Sequence, residues 1–344
     1  ISNAMEYFET KTNCLIKKQL IGGSGAKVLL IESNKSLLVR KLTSSVNLSK
    51  FNFQIKWLNT NRNLKFIPKI FSTGIYDKVS YIDIEYINPS ITFSEFINKN
   101  DVKTSEEIIF SVIKKLNLSI YKKNKLINSE KKLKKYLQDK VVKKIETLFP
   151  LSDEIESLYK YKYLVINGKS FLNLSFCIDK IISNTKIVTS LSTFNDSEIH
   201  GDLTLENILI KGRDFFLIDP NNENYISDKI IDYAKLYQSL NSGYEFLLQQ
   251  KEVQINDNHI SFIDNKSYQY EELYHKLDDY LKGTLSSDDY KNISFHEGVH
   301  FTRLLPYRAI DNIDTAPIFY AVATICFNKF LELSEISLNM DKKE

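Results

Sequence analysis

The stretch from 199 to 220 constrains the fold of this chain more than any other part of the sequence. It alternates short apolar runs with polar residues, and Asp202, Asn207 and Asp219 stand at the ends of the apolar runs. Because loops at the ends of neighbouring short strands meet on one face, we expect these three side chains to converge. Two carboxylates and an amide oxygen can orient a hydroxyl and hold Mg²⁺ against nucleotide phosphates. The pattern therefore predicts a phosphoryl-transfer site.

This stretch resembles the catalytic loop of the aminoglycoside phosphotransferase and choline kinase family, within the protein-kinase-like superfamily. The resemblance rests on the His-Gly-Asp motif at 200–202 and on the spacing from Asp202 to Asn207. It implies that Asp202 is the catalytic base, that Asn207 and Asp219 bind the metal, and that ATP and Mg²⁺ are the cofactors. It also implies that His200 supports the loop by hydrogen bonding and packing.

The acceptor is expected to be a small-molecule hydroxyl. Protein kinases of the Ser/Thr type usually carry a lysine two positions after the base, and Thr204 stands at that position here. Aminoglycosides, choline or ethanolamine, and sugars or sugar-linked polysaccharide precursors all stay open as acceptors. The segment 237–246 resembles family members found near surface-polysaccharide biosynthesis, which favours a sugar.

The resemblance implies an α+β fold: a bilobal protein-kinase-like structure with a small β-rich N-lobe and a larger, mostly helical C-lobe. The residues agree, since 20–42 reads as a strand, glycine turn, strand, short turn and strand, and 81–87 returns to strand. We place the N-lobe, with a five-stranded antiparallel sheet and one helix, at 5–88. The C-lobe, with the catalytic loop and a helical acceptor-binding region, is placed at 89–344, and the ATP·Mg²⁺ site is expected between the lobes.

The N-lobe contains candidates for binding the nucleotide. Backbone N–H groups cradle phosphates where glycines allow close approach, so we expect this of the loop formed by Gly22, Gly23, Ser24 and Gly25. Lys41 is expected to contact the α and β phosphates. Arg40 is the alternative, because strand alternation sends only one of the two side chains towards the nucleotide.

Two further features concern the nucleotide site. Backbone groups from Glu85 to Ile87, at the hinge that the family fold implies, are expected to bind adenine, and ATP and GTP both stay open. In the family a helix glutamate orients the lysine, but the predicted helix from Asn47 to Leu58 contains no acidic residue. Gln54 is the nearest substitute, able to hydrogen-bond but not to neutralise.

The C-terminal helices are expected to bind the acceptor. The candidate substrate residues are His296, Glu297, Arg303, Tyr307, Arg308 and Asp311. Arg303 and Asp311 have an alternative as a structural ion pair. The residues 296–300 also spell His-Glu-x-x-His, a zinc motif when it lies on a helix. We favour a coincidental match, because no further metal ligand follows at the expected spacing and Gly298 weakens the helix.

The composition limits the binding partners that can be expected and indicates the cellular compartment. With 46 Lys+Arg against 43 Asp+Glu, a net charge of +3 requires no nucleic acid partner. No run approaches the ~18 consecutive apolar residues of a membrane span, so no membrane insertion is expected. Three scattered cysteines favour a cytoplasmic protein without disulfides. Residues 2–4 are typical of a cloning remnant, so the native chain is expected to start at Met5. Composition leaves the oligomeric state open.

Two other classes of function stay open besides the small-molecule kinase. The missing helix glutamate allows a pseudokinase, a scaffold that binds nucleotide without transferring phosphoryl groups. A protein kinase is a further alternative, which Thr204 disfavours.

Overall fold

The structure is a computed structural model that describes residues 1–21, 26–44, 47–122 and 125–338. By compactness the chain divides into two parts, called here the N-terminal unit and the helical unit. The N-terminal unit comprises Ile1–Phe96, His200–Asp202 and Glu206–Glu223. The helical unit comprises Ile97–Ile199, Leu203–Leu205 and Asn224–Glu344.

The secondary structure of the described residues is mixed, with strands concentrated in the N-terminal unit. The strands are β1 (Cys14–Leu20), β2 (Lys27–Ser33), β3 (Ser36–Ser44), β4 (Ile70–Tyr76), β5 (Val79–Glu85), β6 (Ile91–Thr92), β7 (Lys125–Asn128), β8 (Tyr163–Ile166), β9 (Lys169–Leu172), β10 (Thr193–Asp196), β11 (Ile208–Lys211), β12 (Asp214–Leu217), β13 (Gln254–Asn256) and β14 (His259–Ser261). The helices are α1 (Ser2–Lys11), α2 (Leu48–Thr60), α3 (Phe93–Lys99), α4 (Val102–Ser119), α5 (Glu130–Leu137), α6 (Lys143–Glu146), α7 (Asp153–Lys160), α8 (Leu174–Ser183), α9 (Thr185–Ser192), α10 (Lys229–Leu240), α11 (Tyr244–Leu247), α12 (Tyr268–Thr284), α13 (Ser287–Asn312) and α14 (Ala316–Leu333).

The N-terminal unit is built on the five-stranded antiparallel sheet that the sequence predicts. Its strand order is β1-β2-β3-β5-β4. Asn34 and Lys35 close the β2–β3 hairpin with positive φ angles of 49° and 62°. A two-residue loop with both φ angles positive matches the twist of the flanking strands, so this turn fixes their register.

Helix α1 is an addition that the sequence analysis did not predict. Ala4 and Phe8 are each 3% exposed and belong to an apolar cluster with Leu29 and Ile31 of β2. The Phe8 ring lies edge-on to Tyr81, with 4.4 Å between ring centroids. The helix therefore covers one face of the sheet and includes residues of the predicted cloning remnant.

A second, smaller sheet in the N-terminal unit positions the residues that are predicted to be catalytic. Its order is β12-β11-β6, and β11 and β12 form an antiparallel hairpin from Ile208 to Leu217. The backbone N–H of Leu217 donates to the carbonyl oxygen of Phe66 at 2.9 Å. This bond ties the hairpin to the chain that follows α2, and the hairpin holds Asn207 at one end and Ile218 at the other.

The helical unit consists of packed helices with two small sheets, β10-β7 and β13-β14-β8-β9. Several helices begin at side-chain caps, as at Asp101, whose carboxylate accepts the Thr104 N–H at 2.7 Å. The turn at Asn167 and Gly168, with φ angles of 49° and 82°, closes a hairpin between β8 and β9, as an Asn-Gly pair favours. Between α5 and α6 the chain continues as a π-helical turn, Gln138–Val142.

The core of the helical unit is formed by α10, α13 and α14. Helix α14 is long and apolar enough to cross a membrane by length and composition, but 78% of it is buried inside the protein. Its apolar surface is taken up by packing, and α13 lies close against it: a Cβ built on Gly298 would come within 3.1 Å of the Phe327 ring. A glycine at 298 therefore allows the two helices to approach.

Candidate active site

The loop that carries the predicted base is braced by His200, whose side chain is completely buried. Its Nε2 atom lies 2.7 Å from the carbonyl oxygen of Ile218, and its Nδ1 atom lies 3.1 Å from the backbone nitrogen of Asp202. Because the backbone N–H of Asp202 can only donate, Nδ1 is the acceptor, and Nε2 carries the hydrogen and donates it in a hydrogen bond to the Ile218 carbonyl oxygen. The neutral imidazole therefore spans the loop, and Gly201, with a φ of 87°, supplies the turn.

Asn207 contacts the predicted base directly. Its Nδ2 atom donates to the backbone carbonyl of Asp202 at 2.8 Å and to Oδ2 of the same residue at 3.1 Å. Its own carbonyl accepts the N–H of Ile218 at 3.0 Å. With Nδ2 held in this way, the other amide atom, Oδ1, is the hard oxygen that suits a magnesium ion.

Lys41 on β3 forms an ion pair with Asp219, between Nζ and Oδ1. The lysine side chain is 14% exposed and the aspartate 34% exposed, so the pair is accessible from solvent. Asp219 has a φ of 56°, in the left-handed region, which aspartate tolerates better than most residues. The predicted phosphate-binding cation and a predicted metal ligand thus lie in contact.

The contacts of Arg40 answer the question of which strand cation faces this site. Arg40 is 2% exposed, and its guanidinium donates two hydrogen bonds to the Asp83 carboxylate at 2.7 and 2.8 Å. Further donors of the guanidinium lie against Cys14 and Thr12. Arg40 is therefore a buried structural cation, and Lys41 is the one that meets Asp219.

Helix α2 reaches the catalytic loop without a carboxylate. Gln54 is half-buried, and no hydrogen bond joins it to Lys41 among the described residues. Trp57, one turn further along the helix, is 2% exposed and lies edge-on to His200, with 5.6 Å between ring centroids and 83° between ring planes. The contact between the helix and the loop is therefore aromatic.

The segment predicted to bind adenine begins at Glu85, the last residue of β5, and ends at Ile87. The N–H of Glu85 donates to the carbonyl of Lys69 at 2.8 Å, and Ile87 is buried with its carbonyl accepting the Ser90 hydroxyl at 2.7 Å. The predicted phosphate loop, Gly22, Gly23, Ser24 and Gly25, lies outside the described residues.

Two of the predicted acceptor residues are buried in the interior of the helical unit. His296 is 5% exposed, and its Nδ1 atom is 3.1 Å from the Tyr136 hydroxyl. Burial lowers the pKa of His296 to about 3, so the ring is neutral. Glu297 is fully buried and accepts hydrogen bonds from Ser242 at 2.6 Å and Asn241 at 3.0 Å. Burial raises the pKa of the Glu297 carboxyl, and these contacts support a structural role for it.

The other four predicted acceptor residues lie towards the C-terminal end of α13. Arg303 donates to the side chain of Asn224, whereas Arg308 pairs with Asp311 at 3.2 Å. The ion pair considered between Arg303 and Asp311 is therefore formed by Arg308 instead. Tyr307 is 48% exposed.

The two histidines of the zinc motif on α13 make structural contacts. Nδ1 of His296 meets Tyr136, and Nε2 of His300 lies 3.1 Å from the carbonyl oxygen of Ile231. Within the part of the chain that the structure describes, no group of three or more His, Cys, Asp or Glu side chains is arranged to hold a metal. The geometry thus favours the coincidental match.

The fold matches solved structures of two kinds of small-molecule kinase. A thermostable mutant of aminoglycoside phosphotransferase APH(4)-Ia, in a ternary complex with AMP-PNP and hygromycin B, has a TM-score of 0.61 at 8% identity, covering 96% of this chain and 99% of that one. The gentamicin complex of APH(2")-IIa gives 0.57 at 14% identity, covering 94% and 95%. Choline kinase LicA from Streptococcus pneumoniae gives 0.53 at 15% identity, covering 95% and 98%.

These matches confirm the predicted α+β protein-kinase-like fold, in the form shared by aminoglycoside phosphotransferases and choline kinase. No protein-family model and no curated protein sequence matches the chain. At such low identity the likeness establishes the fold, and the residues of the site carry any statement about activity.

Sequence reasoning missed two contacts that shape the site. Asp83 faces Arg40 across the β3–β5 ladder. Its position as an acidic residue inside the mostly apolar run 81–87 indicates that it needs a buried cation as partner. The contact between Trp57 and His200 joins residues far apart in the chain, and the sequence contains no local signal for it.

Proposed function

We propose that this protein is an ATP-dependent phosphotransferase that moves the γ-phosphoryl group to a hydroxyl of a small molecule. The observation that carries the proposal is the grouping of Lys41, Asp202, Asn207 and Asp219 within the N-terminal unit, linked by two direct contacts. Phosphoryl transfer needs positioning and charge stabilisation more than covalent chemistry, and these four side chains offer both.

Each residue has a distinct task in this proposal. Asp202 orients the acceptor hydroxyl and receives its proton as the new oxygen–phosphorus bond forms and the bond to ADP breaks. Lys41 exchanges its contact with Asp219 for the nucleotide phosphates. Asn207 keeps Asp202 in place through Nδ2, as it does in the two hydrogen bonds already formed.

The donor atoms fit a hard divalent cation. Oδ1 of Asn207 and the carboxylate of Asp219 are oxygen ligands, which Mg²⁺ prefers, and nucleotide phosphates would complete its shell. Bound there, Mg²⁺ would neutralise charge on the transferred phosphoryl group. The left-handed backbone of Asp219 is held although it is disfavoured, which is common where a side chain must be aimed at a ligand.

Backbone groups after β5 support adenine binding in this proposal. Ile87 has its carbonyl engaged by Ser90, and the described residues provide no acceptor for its N–H. An adenine ring offers acceptors for such a donor. We assign the predicted loop at 22–25 to the phosphates on the resemblance alone.

The proposed acceptor is a sugar or an amino alcohol, in surface-polysaccharide metabolism, with the protein acting in the cytoplasm. The structural neighbours bind hygromycin B and gentamicin or are named as choline kinase, so all three acceptor classes belong in a test. Three free, buried cysteines agree with a reducing compartment.

The test is Mg²⁺-dependent ADP release from ATP, measured with panels of sugars, amino alcohols and aminoglycosides. Three full-length proteins are compared: wild type, Asp202→Ala and Asp214→Asn. Asp214 is an exposed acid on the same hairpin, so its change is the matched control. We expect acceptor-stimulated turnover in wild type and control, and a loss of about 10²- to 10⁴-fold in Asp202→Ala. Equal turnover in Asp202→Ala would refute the assignment of the base.

A pseudokinase is the second candidate, and the lack of an acidic residue on α2 favours it. Such a protein would bind Mg²⁺·ATP and release no ADP with any acceptor. Calorimetric binding of ATP, run beside the turnover assay, separates this outcome from a protein that does not bind nucleotide at all.

A further inference from the structure

Trp57 is the single tryptophan of the chain, and it is buried at the inner side of α2. Its ring meets the imidazole of His200 in an edge-to-face arrangement, with centroids 5.6 Å apart and planes at 83°. Aromatic rings prefer this geometry, because the positive edge of one ring faces the negative face of the other. The contact is therefore directional as well as apolar.

His200 links the two segments of chain that flank the β11–β12 hairpin. Its two ring nitrogens are bonded to backbone atoms, one to the N–H of Asp202 and the other to the carbonyl of Ile218. Asp202 carries the proposed base, and Ile218 immediately precedes Asp219. A rotation of the imidazole would therefore displace the proposed base and the proposed metal ligand together.

Helix α2 brings an aromatic ring to the site and no carboxylate. The helix has no acidic residue, and Lys41 takes Asp219 as its partner in place of a helix side chain. The next candidate, Gln54, makes no hydrogen bond to Lys41. The helix thus meets the catalytic loop through the ring of Trp57.

We propose that Trp57 is a positioning residue for phosphoryl transfer, which holds the His200 ring so that Asp202 and Asp219 keep their catalytic placement. This inference rests on the proposed kinase function. Trp57 touches neither nucleotide nor acceptor in this scheme, so it acts through the placement of Asp202 and Asp219, and its loss should lower kcat by a larger factor than it raises the KM for ATP.

The experiment is a graded series at one position, Trp57→Phe and Trp57→Leu, with Phe51→Leu as the matched control. Phe51 is also buried on α2 at 5% exposure, and no ring contact joins it to His200. Thermal unfolding, kcat and the KM for ATP are measured for each full-length protein. A misplacement of reacting groups by an ångström costs about 100-fold in rate, so we expect a kcat loss of about 10- to 100-fold in Trp57→Leu.

The expected pattern separates positioning from packing. Trp57→Phe should lose less kcat than Trp57→Leu, and in both variants kcat should fall by a larger factor than the KM for ATP rises. Phe51→Leu should lower the unfolding temperature and keep the wild-type kcat. If the Trp57 variants lower the unfolding temperature as Phe51→Leu does but keep wild-type kcat, the inference is overturned. Should Trp57→Leu fail to fold, Trp57→Phe decides by the same criterion.

A second measurement does not depend on activity. With only five histidines in the chain, ¹⁵N NMR of labelled imidazoles can follow His200 and its Nε2–H tautomer. We expect a single fixed tautomer in wild type and Phe51→Leu, and tautomer exchange in the Trp57 variants. If the wild type transfers no phosphoryl group, the proposed function fails, and the NMR signal still tests whether Trp57 holds the His200 ring. An unchanged His200 signal in both Trp57 variants would refute the inference.

Discussion

Arg40 and Lys41 are neighbouring cations on β3, and we expect their removal to have opposite consequences. Arg40→Met takes away a guanidinium that is 2% exposed and leaves the carboxylate of Asp83, itself 3% exposed, with the Ser72 hydroxyl at 2.9 Å. Removing one partner of a buried ion pair costs about 3–5 kcal/mol, because the remaining charge stays buried. Against a typical total stability of about 5–15 kcal/mol, this is a large loss.

Lys41→Met should barely change stability. Its ion pair with Asp219 is partly exposed, at 14% and 34%, and such pairs contribute about 1 kcal/mol or less. The same change removes a charge-assisted hydrogen bond to the nucleotide phosphates, which is worth about 1.5–3 kcal/mol. Since about 1.4 kcal/mol corresponds to tenfold in affinity, Mg²⁺·ADP should bind roughly 10- to 150-fold more weakly.

Two measurements on each variant test this reasoning: guanidinium unfolding followed by far-ultraviolet circular dichroism, and calorimetric titration with Mg²⁺·ADP. The double variant Arg40→Met, Asp83→Leu is the control, because replacing both partners by apolar groups should restore much of the stability. The reasoning is wrong if Arg40→Met unfolds at the wild-type denaturant concentration. It is equally wrong if Arg40→Met loses nucleotide affinity while Lys41→Met keeps it.

Two further predictions concern α13. Because burial lowers the pKa of His296 to about 3 from 6.5, only the unfolded chain binds its proton between these values. The free energy of unfolding should therefore decrease as the pH falls below 6.5, by about 2 kcal/mol at about pH 5 from this group alone. In denaturant unfolding, His296→Leu should make the free energy of unfolding less dependent on pH. An unchanged pH dependence in this variant contradicts the lowered pKa of His296. Gly298→Ala should destabilise, since its Cβ would lie 3.1 Å from the Phe327 ring and overpacking costs about 1–3 kcal/mol against about 1 kcal/mol gained in helix propensity. Phe327→Leu in the same chain should reverse the loss, and a stabilised Gly298→Ala variant contradicts this packing.

The large sheet was predictable because local chemistry determines it. The short turn at 34–35 begins with Asn34, a residue type that accepts positive φ, and the β2–β3 hairpin formed where the sequence places it. Helix α1 was not predictable in the same way. The helix is stabilised by packing of Phe8 on Tyr81 of β5, a contact between residues distant in sequence. Local patterns cannot reveal an element that depends on such a contact.

The choice between Arg40 and Lys41 shows a different limit of sequence reasoning. Alternation along a strand states that the two side chains point to opposite faces, but not which face is buried. The pairing register decides it, because Arg40 lies directly opposite Asp83 in the β3–β5 ladder. An acidic residue in the apolar run of β5 requires a buried cation, and Arg40 is the one that the register provides.

The contrast between the catalytic and the acceptor residues has a physical origin. Asp202 and Asn207 precede one short hairpin and Asp219 follows it, so a few local hydrogen bonds fix their geometry, and a spacing in the sequence can report it. The candidate acceptor residues come from α13, a helix of 26 residues whose orientation is set by long-range packing, as at Gly298. The fold is therefore recognisable at 8–15% identity, whereas the acceptor has to be established from the residues of the site. A search for the substrate should begin with Tyr307, because its ring is exposed on α13 whereas the ring of His296 is buried.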